Sequence, residues 1–323
     1  MTGYKKLAGL KEVIDDCHPK VVLLDLWGVV HNGQEAFPHA VKTLRELKAR
    51  SIDVIILSNS MARAHKTREH LKALGISDDL YKGVLTSGEL AFQDMKSRND
   101  LGQKYLFLGN DGNDILTDPE MGGKYRRTQN PEEADFIVSE YAYRDKMAEF
   151  QALLKVCSER EIKMVNLNPD LYIERDGVVS LQAGVNARFY SGLIRNPEEK
   201  ILQYGKPYKP IYDAAKKMAS ELSGATPDDI IAVGDGPKTD IAGGNNYGIK
   251  TVLTIHKGLV GALMHTPPGA VPPEDDLRAM LKRQRCEDAM PGYAIPAFQW
   301  VPDTAGSGTA QSPKSGSKNK PSL

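Results

Sequence analysis

Four segments carry residue types that could act together on an anion: Asp25-Leu26-Trp27-Gly28-Val29, Ser58-Asn59-Ser60, Gly205-Lys206-Pro207 and Gly234-Asp235-Gly236-Pro237-Lys238-Thr239-Asp240. Each alone has an ordinary reading. An Asp that closes a strand commonly caps a turn or helix, Ser58 suits a helix N-cap, and a single lysine is usually a solvated surface group. The pattern Gly-Asp-x-x-x-x-Asp is more specific, because two carboxylates at that offset can both reach a cation held at a strand terminus. All four together, in this order, make chance a poor explanation.

The chemistry they fit is phosphoryl transfer, which needs an in-line nucleophile, a divalent cation to offset negative charge, and donors to the equatorial oxygens. In that scheme Asp25 attacks and forms an aspartyl-phosphate. Asp25, Asp235 and Asp240 supply the hard oxygen ligands that Mg²⁺ prefers, and the backbone carbonyl of Trp27 is a further candidate ligand. Ser58, followed by Asn59 and Ser60, is expected at a helix N-terminus, where hydroxyl and amide donors converge on a phosphate oxygen. Lys206 neutralises charge shared by Asp25 and the phosphoryl group.

The elements that must position these groups read as a doubly wound parallel sheet. Val21 to Leu24 is a short apolar run of the kind buried on both faces, and it delivers Asp25 at its carboxyl end. A helical pattern from Pro38 through Val41, Leu44 and Leu47 breaks at Arg50-Ser51. The buried run Val54 to Leu57 follows, then Ser58-Asn59-Ser60 and a basic helix stopping at Gly75. In that helix Arg63, His65, Lys66 and Arg68 form a solvated face or meet an anionic substrate. A third strand, Gly83 to Leu85, ends at Thr86-Ser87, where a boundary is expected. The segment 88–202 has its own strands (Tyr105 to Leu108, Phe136 to Ser139, Met164 to Leu167). It also has a helix with Met147, Phe150, Leu154 and Cys157 on one face, and a hairpin turning at Asp176-Gly177. It is too long for a structureless connection. The core pattern resumes with a helix around Tyr208 to Leu222, the strand Ile230 to Val233, a helix after Gly236-Pro237 and the strand Thr251 to Ile255. Beyond Gly258 a Pro-rich stretch keeps apolar and aromatic residues to Trp300 and is expected to drape over the core.

The expected fold class is therefore α/β, a doubly wound, Rossmann-like hydrolase core (1–87 and 203–300) with an inserted α/β cap (88–202) and a disordered tail (303–323). The tail is expected because Gly, Ser, Thr, Pro and Lys dominate it. Across 323 residues, 42 basic side chains balance 42 acidic ones, so no net field draws the chain to nucleic acid or an anionic membrane. Cys17, Cys157 and Cys286 lack paired spacing, which argues against a disulfide framework or zinc site and for reduced thiols in a cytoplasm. Neither a signal peptide nor an apolar run of membrane-spanning length is present, so a soluble cytoplasmic protein is expected, with no oligomeric partner readable.

These motifs resemble the haloacid dehalogenase-like hydrolases, and more narrowly the class IIA subgroup whose large α/β cap lies between the second and third motifs. The resemblance runs from Val21 to His256. It implies that Asp25 is the nucleophile, Ser58 the phosphate-binding hydroxyl, Lys206 the third-motif lysine, and Asp235 with Asp240 the fourth-motif acids. Asn168-Pro169-Asp170 and Ala183-Gly184-Val185-Asn186 resemble cap segments that lie over the active site and help choose the substrate; a plain turn before the hairpin explains the first equally well. The implied activity is hydrolysis of a small phosphorylated metabolite with Mg²⁺. One departure matters. Phosphatases of this superfamily usually carry a second Asp two residues after the nucleophile, to protonate the leaving group and activate water, and here that position is Trp27. An indole does no acid-base work near neutral pH, a loss typically worth ~10²–10⁴ in rate. His31 is a nearby titratable candidate, and Trp27 itself could pack under the cap. A subgroup with Asp-x-Trp-Gly in its first motif is similar. The alternatives are a metal-independent dehalogenase-type hydrolase, which also lacks that Asp, and a weakly catalytic protein that binds a phosphorylated ligand.

Overall fold

The computed structural model describes residues 4–175, 178–256 and 258–301. The expected tail 303–323 and the hairpin turn Asp176-Gly177 lie outside them. Strands run Lys5–Lys6 (β1), Val21–Leu24 (β2), Asp53–Ser58 (β3), Gly83–Thr86 (β4), Lys104–Leu108 (β5), Arg126–Thr128 (β6), Phe136–Ser139 (β7) and Lys163–Asn166 (β8). They continue as Tyr172–Arg175 (β9), Val178–Leu181 (β10), Ile201–Gln203 (β11), Ile230–Gly234 (β12), Lys250–Thr254 (β13) and Tyr293–Ile295 (β14).

The larger sheet has seven parallel strands in the order β1-β14-β13-β12-β2-β3-β4. Chain order explains where its crevice lies. From β2 the chain steps outward to β3 and β4, and on its return it places β12 on the other side of β2 and steps away to β13. The reversal between β2 and β12 leaves an opening at their carboxyl ends, the place where ligands bind in open α/β sheets.

Both faces of this sheet are covered, which is why its strands are apolar on both sides. Val22, Leu24, Val54, Ile56, Ile231 and Val233 pack on one face with residues of the helices Leu10–Cys17, Pro38–Ala49 and Ala64–Ala73. Val21, Leu23, Ile55, Ile230 and Ala232 alternate onto the other face, against Ile211, Tyr212, Ala215 and Ala219 of the helix Lys209–Ser223. The stretch beyond Gly258 does more than drape. Its segment Tyr293–Ile295 enters the sheet between β13 and β1, and Phe298 and Trp300 are buried behind it.

A second parallel sheet, β11-β8-β7-β5-β6, is built from the chain between β4 and β12. Helix Ser87–Ser97 packs Ala91, Phe92 and Met95 on one side of it, and helices Met147–Glu159 and Gly184–Ser191 cover the other. The antiparallel pair β9–β10 forms a separate two-stranded sheet. Among the described residues no helix is long and apolar enough to cross a membrane, and the three cysteines are unpaired.

Candidate active site

Asp25 directly follows β2, and its backbone N–H donates to Val233 O of β12 at 2.9 Å, so the nucleophile candidate is tied to the strand that delivers Asp235. Asp240 lies five residues on, in a wide π-type turn over Pro237–Ile241, a helical irregularity that recurs at functional sites. The turn folds the Asp240 carboxyl back over β12: a Cβ at Gly234 would stand 2.1 Å from Asp240 Cγ, so only glycine admits this approach. Asp240 Oδ2 accepts from Gly236 N at 3.0 Å, and Asp235 Oδ2 accepts from Leu259 N at 2.8 Å.

Oxygen atoms of Asp25, Asp235 and Asp240 all lie within 4.8 Å of one another. Lys206, buried beneath them, donates from Nζ to Asp25 Oδ1 at 2.6 Å and to Asp240 Oδ1 at 2.7 Å. Burial alone would push this ammonium down, but the charges of Asp240 and Asp25 hold it well above its ordinary value. One ammonium cannot balance three carboxylates. Burial raises Asp25 to about 7 in spite of Lys206, and burial with the Asp25 and Asp240 charges raises Asp235 well above the usual carboxylate range. Such an all-oxygen, electron-rich set fits a hard divalent cation.

Models of the haloacid dehalogenase-like hydrolase family match residues 22–118 and 203–258, the two stretches that supply these groups. The core has the fold of the haloacid dehalogenase-like hydrolases. The sugar-phosphatase AraL of Bacillus subtilis is 26% identical over 244 residues, covering 73% of this chain and 83% of that protein. The acid sugar phosphatase of Staphylococcus aureus is 26% identical over 249 residues, covering 72% and 85%. A haloacid dehalogenase-like hydrolase from Brucella suis shares the fold at TM-score 0.72 and 24% identity, over 90% of this chain and 99% of that one.

In this hydrolase core Ser58 ends β3 and is buried, with its Oγ accepting from Ser60 N at 3.2 Å. It does not sit at a helix N-terminus as expected. The following helix begins only at Ala64, with Arg63 at its N-cap, because the chain first makes a turn in which Ser60 Oγ accepts from Ala62 N. Donors near Ser58 are therefore loop amides. Asn59 is committed at both ends of its amide: Oδ1 accepts from Lys206 N at 2.6 Å, while Nδ2 donates to Lys206 O at 3.1 Å and to Asp170 Oδ1 at 2.9 Å.

These groups line a cavity of about 1200 Å³ shared by the core and the inserted segment. Asn168, Pro169 and Asp170 come to it from beyond β8 and Ser58, Asn59 and Ser60 from β3, so the two expected substrate-binding triplets meet there. Trp27 lines it too, edge-on to His31 with ring centroids 5.9 Å apart. His31 Nδ1 accepts from Gly33 N at 3.0 Å, which leaves the imidazole proton on Nε2, and burial together with His70 pushes its pKa down to about 4. A neutral ring with its basic nitrogen occupied is a donor, not the base considered for it.

Two features had no signal in the sequence. Arg63, grouped there with a solvated or substrate-facing basic cluster, is buried, stacked 3.4 Å over the Phe92 ring and bonded to Glu89 and Asp118 at 2.7 Å each. His65 and Lys66 of that cluster are exposed, Lys66 at the cavity. Gln182 is buried at the cavity wall, where its Oε1 accepts from Asn168 Nδ2 at 3.0 Å.

Proposed function

We propose that this chain is a Mg²⁺-dependent phosphatase of small phosphorylated metabolites, working through an aspartyl-phosphate on Asp25. The observation that carries this reading is the Asp25–Asp235–Asp240 triad around Lys206, with Asp25 and Asp240 buried and Asp235 partly buried. A dehalogenase-type displacement needs no cation and gives no reason to gather three carboxylates together. The sugar phosphatases similar to this chain favour a phosphate monoester, with phosphorylated sugars among the candidates.

In this reading Asp25 attacks phosphorus in line, and Lys206 orients its carboxylate and offsets charge shared with the phosphoryl oxygens. Ser58 and the amides after it donate to those oxygens. Asp25, Asp235, Asp240 and the Trp27 carbonyl hold Mg²⁺, which when bound neutralises developing charge and keeps the carboxylates ionised. The inserted segment 88–202 acts as a cap that closes the cavity and brings Asn168, Pro169 and Asp170 to the substrate.

The test is release of inorganic phosphate from a panel of phosphomonoesters and an acyl phosphate, with Mg²⁺ or with EDTA, for wild type and Asp25→Asn. Metal-dependent release that Asp25→Asn abolishes supports the reading. No release even from the acyl phosphate would turn it towards displacement at carbon or ligand binding without turnover.

A further inference from the structure

We propose that Asp170, delivered by the inserted segment, is the general acid and base of the reaction, in place of a carboxylate two residues after the nucleophile. The inference rests on the phosphatase reading and adds the group that completes its proton transfers.

Displacing an alkyl oxygen from phosphorus needs a proton on that oxygen, and the residues beside Asp25 do not supply one. Trp27 has no titrating group in the relevant range. His31 holds its proton on Nε2 and accepts from Gly33 N at Nδ1, so it cannot cycle between acid and base. Asp235 and Asp240 belong to the cation-binding triad, and Lys206 is spent on two carboxylates. Among the described acids that come to the cavity, Asp170 is the one held beside this cluster with no lysine or arginine bonded to it: its carboxyl accepts from a neutral amide, Asn59 Nδ2. Burial favours its protonated form, as an acid requires.

Its placement is over-determined. Asn59, one residue after Ser58, grips Lys206 by both backbone groups and Asp170 by its carboxyl, so one side chain sets the acid relative to the lysine under the nucleophile. A Cβ at Gly205 would stand 2.5 Å from Asn59 Oδ1 and 2.8 Å from Pro169 Cδ; glycine there lets the Asn168–Asp170 loop seat on the core. From the other side Asn168 Oδ1 accepts from Asp170 N, and Gly184 N donates to Asp170 O at 3.1 Å. Asp170 is near enough to the nucleophile for its charge to act on Asp25.

In the first step an Asp25 oxygen forms a bond to phosphorus, the bond from phosphorus to the leaving oxygen breaks, and the Asp170 carboxyl gives that oxygen its proton, releasing an alcohol. In the second step water attacks phosphorus and passes one proton to the Asp170 carboxylate. The bond from phosphorus to Asp25 breaks, phosphate leaves, and Asp170 is protonated again.

The test compares wild type with Asp170→Asn in rapid-mix, pre-steady-state assays with Mg²⁺ and substrate in excess over enzyme, using p-nitrophenyl phosphate, whose leaving group needs no proton, and an alkyl phosphate, whose leaving group does. The first-turnover burst of p-nitrophenol should survive in Asp170→Asn to within about threefold, followed by slow turnover because the phospho-enzyme waits for its base. Release of the alkyl alcohol should slow by ~10²–10⁴, the range typical of losing an acid. A surviving burst also shows that the variant folds. Equal slowing of both substrates would make Asp170 a binding group and overturn the proposal, as would no slowing of either. Wild type that transfers phosphate from neither substrate would instead sink the phosphatase reading.

Discussion

Three carboxylates share one ammonium at the centre of this site, and the imbalance has a measurable sign. Asp235 is raised well above the usual carboxylate value by burial first and then by Asp25 and Asp240. A carboxyl raised in the folded state binds its proton more tightly there than in the unfolded chain. It therefore contributes stability below the unfolded value, and that contribution is lost as pH rises through the folded one. The metal-free protein should accordingly lose Tm as pH rises above the ordinary carboxylate range, and Asp235→Asn, which cannot ionise, should lose less. At the upper end the variant should melt a few degrees above wild type in EDTA, since about 1 kcal/mol moves Tm by ~2–4 °C in larger domains. Mg²⁺ should reverse the order, raising Tm of wild type through preferential binding to the folded state and leaving the variant nearly unmoved. Thermal melts at several pH values with and without Mg²⁺ check this; equal pH slopes for the two proteins would refute it. The individual groups of this site were legible in the sequence because Asp25, Ser58 and Asp235 follow or close buried apolar runs, while Lys206 and Asp240 were picked out by their place in the motifs. Their couplings were not: Lys206 meets Asp25 across 181 residues, and Asn59 meets Asp170 across 111.

Between elements, the core and the inserted segment are joined by Arg63. It leaves the loop after β3, crosses the ring of Phe92 on helix Ser87–Ser97, and reaches Glu89 of that helix and Asp118 beyond β5. Arg63→Ala would strand both carboxylates. Fully buried pairs lose ~3–5 kcal/mol when broken; here Glu89 and Asp118 keep about a fifth of their side-chain surface exposed, so roughly 2–4 kcal/mol is expected. Arg63→Met, which keeps a long stem against Phe92, should recover the packing part of that loss and none of the ionic part. Urea denaturation of the three proteins measures both, and a loss under about 0.5 kcal/mol for Arg63→Ala would mean the pairs are merely superficial. The elements themselves were largely readable. β2, β3 and β12 are apolar runs on both faces, and helix Lys209–Ser223 keeps its apolar stripe and ends at Gly224. What could not be read is instructive: β1 and β14 are two and three residues long, too short for any period, and β1 exists only by pairing with β14, nearly 290 residues further along the chain. Arg63 was misjudged for a related reason, since a charge on a basic helix says nothing of the distant acids that bury it.

For the whole molecule, the first and last described strands meet at one edge of the larger sheet, and that edge bears on the site. β14 pairs with β13 along Val252 to Thr254 and holds β1 on its outer side. The segment just after β13 supplies Leu259 N, the donor that fixes Asp235 Oδ2 at 2.8 Å. Removing β14 should therefore act on the proposed cation site from a distance. A chain ended after Met290 loses the strand together with buried Phe298 and Trp300, exposes the ladder groups of β13, and leaves β1 without a partner. Large-to-small loss of one buried aromatic already costs ~3–5 kcal/mol, and this truncation removes two along with the strand. Against a total stability of ~5–15 kcal/mol, the expected outcome is a chain that aggregates or melts without a cooperative transition. If it still folds, the β13 segment is the part left unsupported, and Mg²⁺ should then raise its Tm far less than it raises that of the full chain. A truncated protein with a cooperative melt and an undiminished response to Mg²⁺ would show that the carboxyl-terminal strand only decorates the sheet and that Asp235 is positioned without it.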